Sequence, residues 1–192
     1  MPKSASFKSL PLLIGLVVAA AATRLLPHPD NFVPVGAMAL FGAATLPQRW
    51  LAVLLPLAAY YLSDLFLNNV IYAAYFDGFY WGADPWIYGG VALMVLLGFA
   101  TLRGSTPGWA RIGATAVGAT LIFYLLSNFG VWVSGGMYPK TVAGLIACYV
   151  AALPFLLNSL AANLIFSGVL FGIARRLPRA ETTGIKAAVS ND

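Results

Sequence analysis

Along this chain, long apolar runs alternate with short polar breaks. The runs cover 10–26, 35–47, 50–68, 86–103, 109–134 and 155–175. A membrane-crossing helix needs roughly 20 mostly apolar residues, so each run predicts a span. The second is short, held between Pro34 and Pro47. A further apolar piece, 141–153, ends at Pro154. One helix over 141–175 would be roughly 50 Å long at 1.5 Å per residue, too long for a single crossing. Pro154 also lacks an N–H and clashes with the preceding turn. The pattern therefore predicts a short helix at 141–153, lying over the bundle or re-entering it, followed by the last span. The expected fold class is an all-α integral membrane protein: a six-transmembrane-helix bundle forming one domain over 1–177, with a polar cytoplasmic tail at 178–192.

Lys and Arg orient the bundle, because cytoplasmic loops carry the excess of these residues. With the N-terminus inside, Lys3, Lys8, Arg49, Arg103, Arg111, Arg175, Arg176, Arg179 and Lys186 fall on the cytoplasmic side. Only Arg24 and Lys140 fall outside. One helix more or fewer would scramble this bias. Both termini are thus expected in the cytoplasm, and the membrane is expected to be a bacterial inner membrane. The competing reading of the first run as the core of a signal peptide is disfavoured by its length and by the five apolar runs after it.

Composition changes the picture in one respect. Only 9% of residues are charged and the mean hydropathy is +0.84, against about 25% charged residues in soluble domains. The chain's main partner is therefore the lipid bilayer. The net charge of +5 does not imply nucleic acid, because the basic residues stand singly at the ends of apolar runs rather than in a patch. One cysteine, Cys148, leaves no internal disulfide and no CxxC metal or redox site. No phosphate loop, dinucleotide-binding glycine motif, HExxH or GxSxG occurs, so neither ATP hydrolysis nor a resident cofactor is expected.

Polar residues within spans mark candidate sites. Tyr60, Asp64 and Asn68 repeat at spacing four on the third span, which sets them on one helix face. Asp64 is the only acid inside a span, so its carboxylate must face a partner or water. It reads either as a wall of a ligand site or as a buried structural hydrogen bond. Tyr124, Asn128 and Trp132 repeat likewise on the fifth span. Asn128 suits a polar ligand group or plain interhelical contact, and Trp132 suits a site wall or the interfacial aromatic belt. Ser159, Asn163 and Ser167 form a stripe on the sixth, of a kind also common at helix contacts without a ligand. The outer loop 69–85 is rich in aromatics, Trp81 among them. The expected ligand-binding set is Tyr60, Asp64, Asn68, Trp81, Asn128, Trp132 and Asn163, with no metal. His28 is the sole histidine and lies in the stiff loop Pro27–Pro34, where it reads as solvated or as part of a site rim. Gly15, Ala19 and Thr23 form a small-residue face on the first span, suited to close helix packing or to a partner membrane subunit.

Four stretches carry a family resemblance: Asn31–Ala43 (NFVPVGAMALFGA), Ser63–Leu65 (SDL), Ser127–Trp132 (SNFGVW), and Tyr138–Tyr149 (YPKTVAGLIACY) with Leu153-Pro154-Phe155. Together they resemble a family of small, largely uncharacterised bacterial transport-type proteins, itself similar to the substrate-binding (S) components of energy-coupling-factor (ECF) vitamin transporters. The resemblance covers roughly 10–175. It implies a six-helix bundle with an outward-opening ligand cavity, and a coupling subunit with ATPases as partner, or action without that module. Some similar solitary proteins ligate cobalt through a cysteine near the third span. This chain has no cysteine between 64 and 90, which speaks against cobalamin bound by that route. It also lacks the His-rich N-terminal motif of metal-ion S components. The expected function is therefore uptake of a small, vitamin-like molecule. The alternatives are a non-transport scaffold or assembly subunit of a membrane complex, and an enzyme acting on lipid.

Overall fold

The computed structural model describes residues 10–104 and 106–176, and these are helical with no strand among them. Seven α-helices follow in order: α1 Leu10–Ala22, α2 Val35–Thr45, α3 Arg49–Phe66, α4 Pro85–Thr101, α5 Trp109–Ser134, α6 Val142–Ala151 and α7 Leu153–Arg176. α1 continues as a 3-10 turn at Thr23–Leu25, and α3 continues as a π turn at Leu67–Ile71. The break between α6 and α7 falls at Ala152, and Pro154 sits in the first turn of α7, where its missing N–H leaves no bond unmade. The predicted tail 178–192, and with it Lys3, Lys8, Arg179 and Lys186, lies outside the described residues.

Three helical segments are long and apolar enough to cross a membrane: Arg49–Ile71, Trp109–Ser134 and Leu153–Arg176. Leu10–Leu25, Val35–Thr45, Pro85–Thr101 and Val142–Ala151 are apolar but shorter. The outward faces match this character. On α3, Ala52, Pro56, Tyr60 and Ser63 form the buried stripe, while Leu54, Leu62 and Phe66 stand exposed. Exposed leucines and valines recur along α4, α5 and α7. Surface this apolar is a liability in water and is the natural exterior of a bundle solvated by lipid.

α2 is the axis of the fold. Val35 to Ala43 are all buried, so the helix is apolar on every side and packs against α1, α3, α4, α5 and α7. Its approach to α4 is close: a Cβ on Gly98 would lie 2.7 Å from the Ala43 Cβ. With 11 residues it is about 16 Å long, far short of the hydrocarbon thickness. Its N-terminal residues, Val35 to Ala37, are buried among other helices, where orphan backbone N–H groups need protein partners, while its C-terminal end runs into exposed Pro47 and Gln48. Side chains from elsewhere in the bundle bond to both ends. At the N-terminus, the Asn163 Oδ1 of α7 accepts from the Ala37 N–H at 3.1 Å. A Cβ on Gly36 would fall 2.6 to 2.8 Å from that amide group, so glycine is what lets Asn163 reach in. At the C-terminus, Arg103 donates to the carbonyls of Ala43 at 3.0 Å and Pro47 at 2.8 Å.

Candidate functional site

Two neighbouring cavities open at the end of the bundle that carries the loops after α1, α3 and α5. The inner one, about 380 Å³, lies between α3, α4, α5, α6 and α7 and reaches down to the N-terminus of α2. Its walls include Val35, Tyr60, Met94, Thr120, Phe123, Tyr124, Ser127, Asn128, Cys148, Phe155, Ser159 and Asn163. Among the described residues, no Asp, Glu, Lys, Arg or His lines it. The rim carries exposed Met137 and Phe155. The outer pocket, about 370 Å³, is strongly polar, with Arg24, His28, Asp30, Asp64, Asn68 and Tyr72 in its wall. Asn31, Val33, Tyr60 and Phe155 belong to both.

The partition between them is largely the loop after α1. Asn158 and Ser159 of α7 pin it by donating to the backbone carbonyls of Asp30, at 2.9 Å, and Asn31, at 3.1 Å. Phe32 packs on Phe166 with ring centroids 6.2 Å apart. Asn31 holds a left-handed backbone, φ 58°, a conformation that asparagine tolerates better than most residues. The three prolines predicted a stiff loop, and its wedge between α3 and α7 is where that stiffness is used.

Asp64 is engaged on both oxygens. Arg24 Nη2 donates to Oδ1 at 2.7 Å, and the Tyr88 hydroxyl donates to Oδ2 at 3.0 Å. Arg24 is only 7% exposed. It also donates to the Tyr60 carbonyl at 3.1 Å and to the Ser63 hydroxyl, and its guanidinium lies 3.8 Å from the centroid of the Tyr60 ring. Its Nε is buried without a partner among the described residues. The outer pocket is thus built around an ion pair set on an aromatic face, an arrangement suited to arginine's planar, delocalised charge.

Of the seven residues singled out in the sequence, Tyr60, Asn128 and Asn163 line the inner cavity, and Tyr60, Asp64 and Asn68 line the outer pocket. Asn68 falls in the π turn, so the strict spacing of four ends before it. Trp81 and Trp132 line neither cavity. Trp81 is exposed in the loop before α4, its ring against Phe79 at 4.4 Å and its carbonyl accepting from the Tyr61 hydroxyl at 3.2 Å. Trp132 donates from its indole N–H to the Pro139 carbonyl at 2.9 Å. In the stripe on α7, Ser159 holds the loop and Asn163 bridges α2 to Thr120, donating to its Oγ1 at 2.9 Å. The Ser167 hydroxyl is buried without a partner among the described residues.

Sequence reasoning assigned Arg24 to the outer flank and gave Tyr88, Thr120 and Ser127 no role. For Arg24 a signal existed: a lone carboxylate within a span demands a counter-charge, and Arg24 is one of the two cations predicted on that side. For the others, nothing in the pattern separates them from packing residues. Among the described residues, no group of three His, Cys, Asp or Glu stands close enough to hold a metal ion.

Among the described residues, fold and site together define an all-helical protein with three helical segments long and apolar enough to cross a membrane and, within the bundle, a cavity lined by no Asp, Glu, Lys, Arg or His. The chain belongs to a family of unknown function, DUF6580, whose sequence pattern matches residues 4–183. No curated protein and no solved structure matches it.

Proposed function

We propose that this protein binds a small molecule in the inner cavity from the outer face of a bacterial inner membrane and serves its uptake. The observation that carries the reading is the cavity itself. It is of small-ligand size, apolar in most of its wall with a few placed polar groups, and open at one end of the bundle. That balance is typical of ligand sites. A scaffold subunit has no use for such a space, and the carboxylates and imidazoles that most often serve as acid–base groups in an enzyme are absent from the described lining of the inner cavity.

In this reading α1, α2, α3, α4, α5 and α7 are the six spans, the shorter ones lying within the thickness set by α3, α5 and α7. α6 covers the outer half of α5. The cavity mouth faces outward, because the opposite end of the bundle carries Arg49, Arg103, Arg111, Arg175 and Arg176. The resemblance to S components adds a coupling subunit with ATPases as partner. The face of α1 with exposed Gly15 and Ala19 is available to it. A vitamin-like ligand fits the flat walls supplied by Tyr60, Phe123, Tyr124 and Phe155.

The test is to incubate the purified protein in lipid nanodiscs with a small-molecule extract of bacterial cells, wash, denature and identify what is released by mass spectrometry. A defined compound is expected from the native protein. It should be absent from Ser127→Trp, in which an indole fills the cavity while melting stays within a few degrees. The same compounds released from both proteins, or none from either, would contradict the reading.

A further inference from the structure

The hydrogen-bond inventory of the inner cavity restricts the chemistry of its occupant. This inference rests on the proposal that the cavity is the ligand site. Six polar side chains from α5 and α7 line it: Thr120, Tyr124, Ser127, Asn128, Ser159 and Asn163. Each hydroxyl among them gives its only hydrogen to a backbone carbonyl. Thr120 donates to Ala116 at 2.8 Å, Tyr124 to Tyr149 at 2.5 Å, Ser127 to Phe123 at 2.7 Å and Ser159 to Asn31 at 3.1 Å. Asn128 turns its Nδ2 toward the Tyr124 carbonyl at 2.9 Å. A carbonyl only accepts, so these orientations are set by chemistry. The bond to Tyr124 fixes the orientation of the amide and uses one of its two N–H hydrogens, so Asn128 Oδ1 is left as an acceptor with no partner among the described residues, beside the second N–H. So are the lone pairs of Ser127 and Ser159. Asn163 is committed on both atoms, to Ala37 and Thr120. On the facing wall, Tyr60 makes no side-chain hydrogen bond among the described residues, and its hydroxyl is free to donate.

The α5–α7 wall therefore offers free acceptors, Asn128 Oδ1 and the serine oxygens, with the second Asn128 N–H beside them, and the α3 wall offers the Tyr60 hydroxyl as a donor. No charge lines the space, so an ionised group placed there would be unpaired and costly to bury. We infer that the part of the ligand held in this cavity is an uncharged flat ring whose edge carries N–H donors beside a carbonyl, as in cyclic ureas, lactams and imides. The N–H groups meet Asn128 Oδ1 and the serine oxygens, and the carbonyl accepts from Tyr60.

Benzimidazolone, a benzene-fused cyclic urea, and its 1,3-dimethyl derivative share the ring and the carbonyl and differ in the two N–H groups. Both are small against a cavity of about 380 Å³. Equilibrium dialysis against protein in nanodiscs, with empty nanodiscs correcting for partition into lipid, measures retention of each. Benzimidazolone should be held about tenfold more tightly, the scale of leaving a buried acceptor unmet. Asn128→Leu, close in size, should reduce that preference to about twofold while still retaining the rings, its melting temperature showing that it is folded. Equal retention of the two compounds, or a preference unchanged in Asn128→Leu, overturns the inference and leaves the cavity reading standing. Retention of neither above empty nanodiscs contradicts both.

Discussion

Replacing Arg24 by leucine will cost the protein about 2–4 kcal/mol of stability, below the scale of a fully buried ion pair that loses one member, because the stranded partner is 20% exposed in the outer pocket. The stranded group is Asp64, which would keep the Tyr88 hydroxyl and lose its counter-charge. Its pair holds the end of α1 to α3, and Arg24 adds bonds to the Tyr60 carbonyl and the Ser63 hydroxyl across the same contact. The expected sign reverses in part when both charges go. Arg24→Leu combined with Asp64→Leu leaves no orphan carboxylate and should recover most of the loss, since apolar replacement of an entire buried pair is often close to neutral. Unfolding of the three proteins in one detergent decides the matter. If the double variant is as unstable as the single, the cost lies in lost packing of the long arginine side chain and not in the charge.

Asn163→Leu will destabilise by about 2–3 kcal/mol, because a helix end buried among other helices then has an N–H with no acceptor. The residue is 2% exposed and bridges three elements, through Ala37 of α2, Thr120 of α5 and its own α7. Leucine fills similar space and accepts nothing. Asn163→Asp separates the cap from mere packing. Aspartate keeps the acceptor at the N-terminus of α2, where the helix dipole favours negative charge, and gives up only the donor to Thr120. Burying the new carboxylate offsets part of that gain, so the variant should cost about 1–2 kcal/mol, less than Asn163→Leu, by the same unfolding measurement. Equal losses in the two variants would show that the bond to Thr120, not the cap on α2, is what matters.

The helices were readable because prolines and apolar runs bound them. Pro34 and Pro47 frame α2, Pro85 opens α4 and Pro154 opens α7. Spacing of four on α3 was a sound guide to its inward face: Tyr60 is buried and Asp64 turns toward α1 and α4. Periodicity orients a helix and says nothing about a loop. Asp64 and Asn68 were therefore grouped with Asn128 and Asn163, whereas Asn31 and Val33 of the first loop stand between the two sets. Trp81 failed to orient for the same reason, lying in a loop tied back along α3 through Tyr61. Arg24 was hidden differently. At the end of an apolar run an arginine reads as an interfacial anchor, and only the three-dimensional closeness of α1 to α3 turns it inward.

The depth of α2 was the least legible feature. A short apolar run between prolines is equally suited to a tilted span, a re-entrant segment and a buried core helix. What distinguishes the last is a pair of caps 60 and 126 residues away in sequence, Arg103 to Ala43 and Asn163 to Ala37. Such caps leave no trace in local pattern. Together they place a helix N-terminus at the floor of the cavity, with Val35 and Asn163 in its wall.

The central claim is a ligand cavity that opens to the outside of the membrane, and the accessibility of its wall tests it most directly. Cys148 is the only cysteine, so Cys148→Ser gives a clean background in which Ser127→Cys places one thiol in the inner cavity. Intact cells and inside-out vesicles are then treated with the membrane-impermeant reagent 2-sulfonatoethyl methanethiosulfonate. The thiol should react in intact cells and be protected in inverted vesicles. Reaction only in the inverted vesicles, or in neither preparation, would contradict an outward-opening cavity.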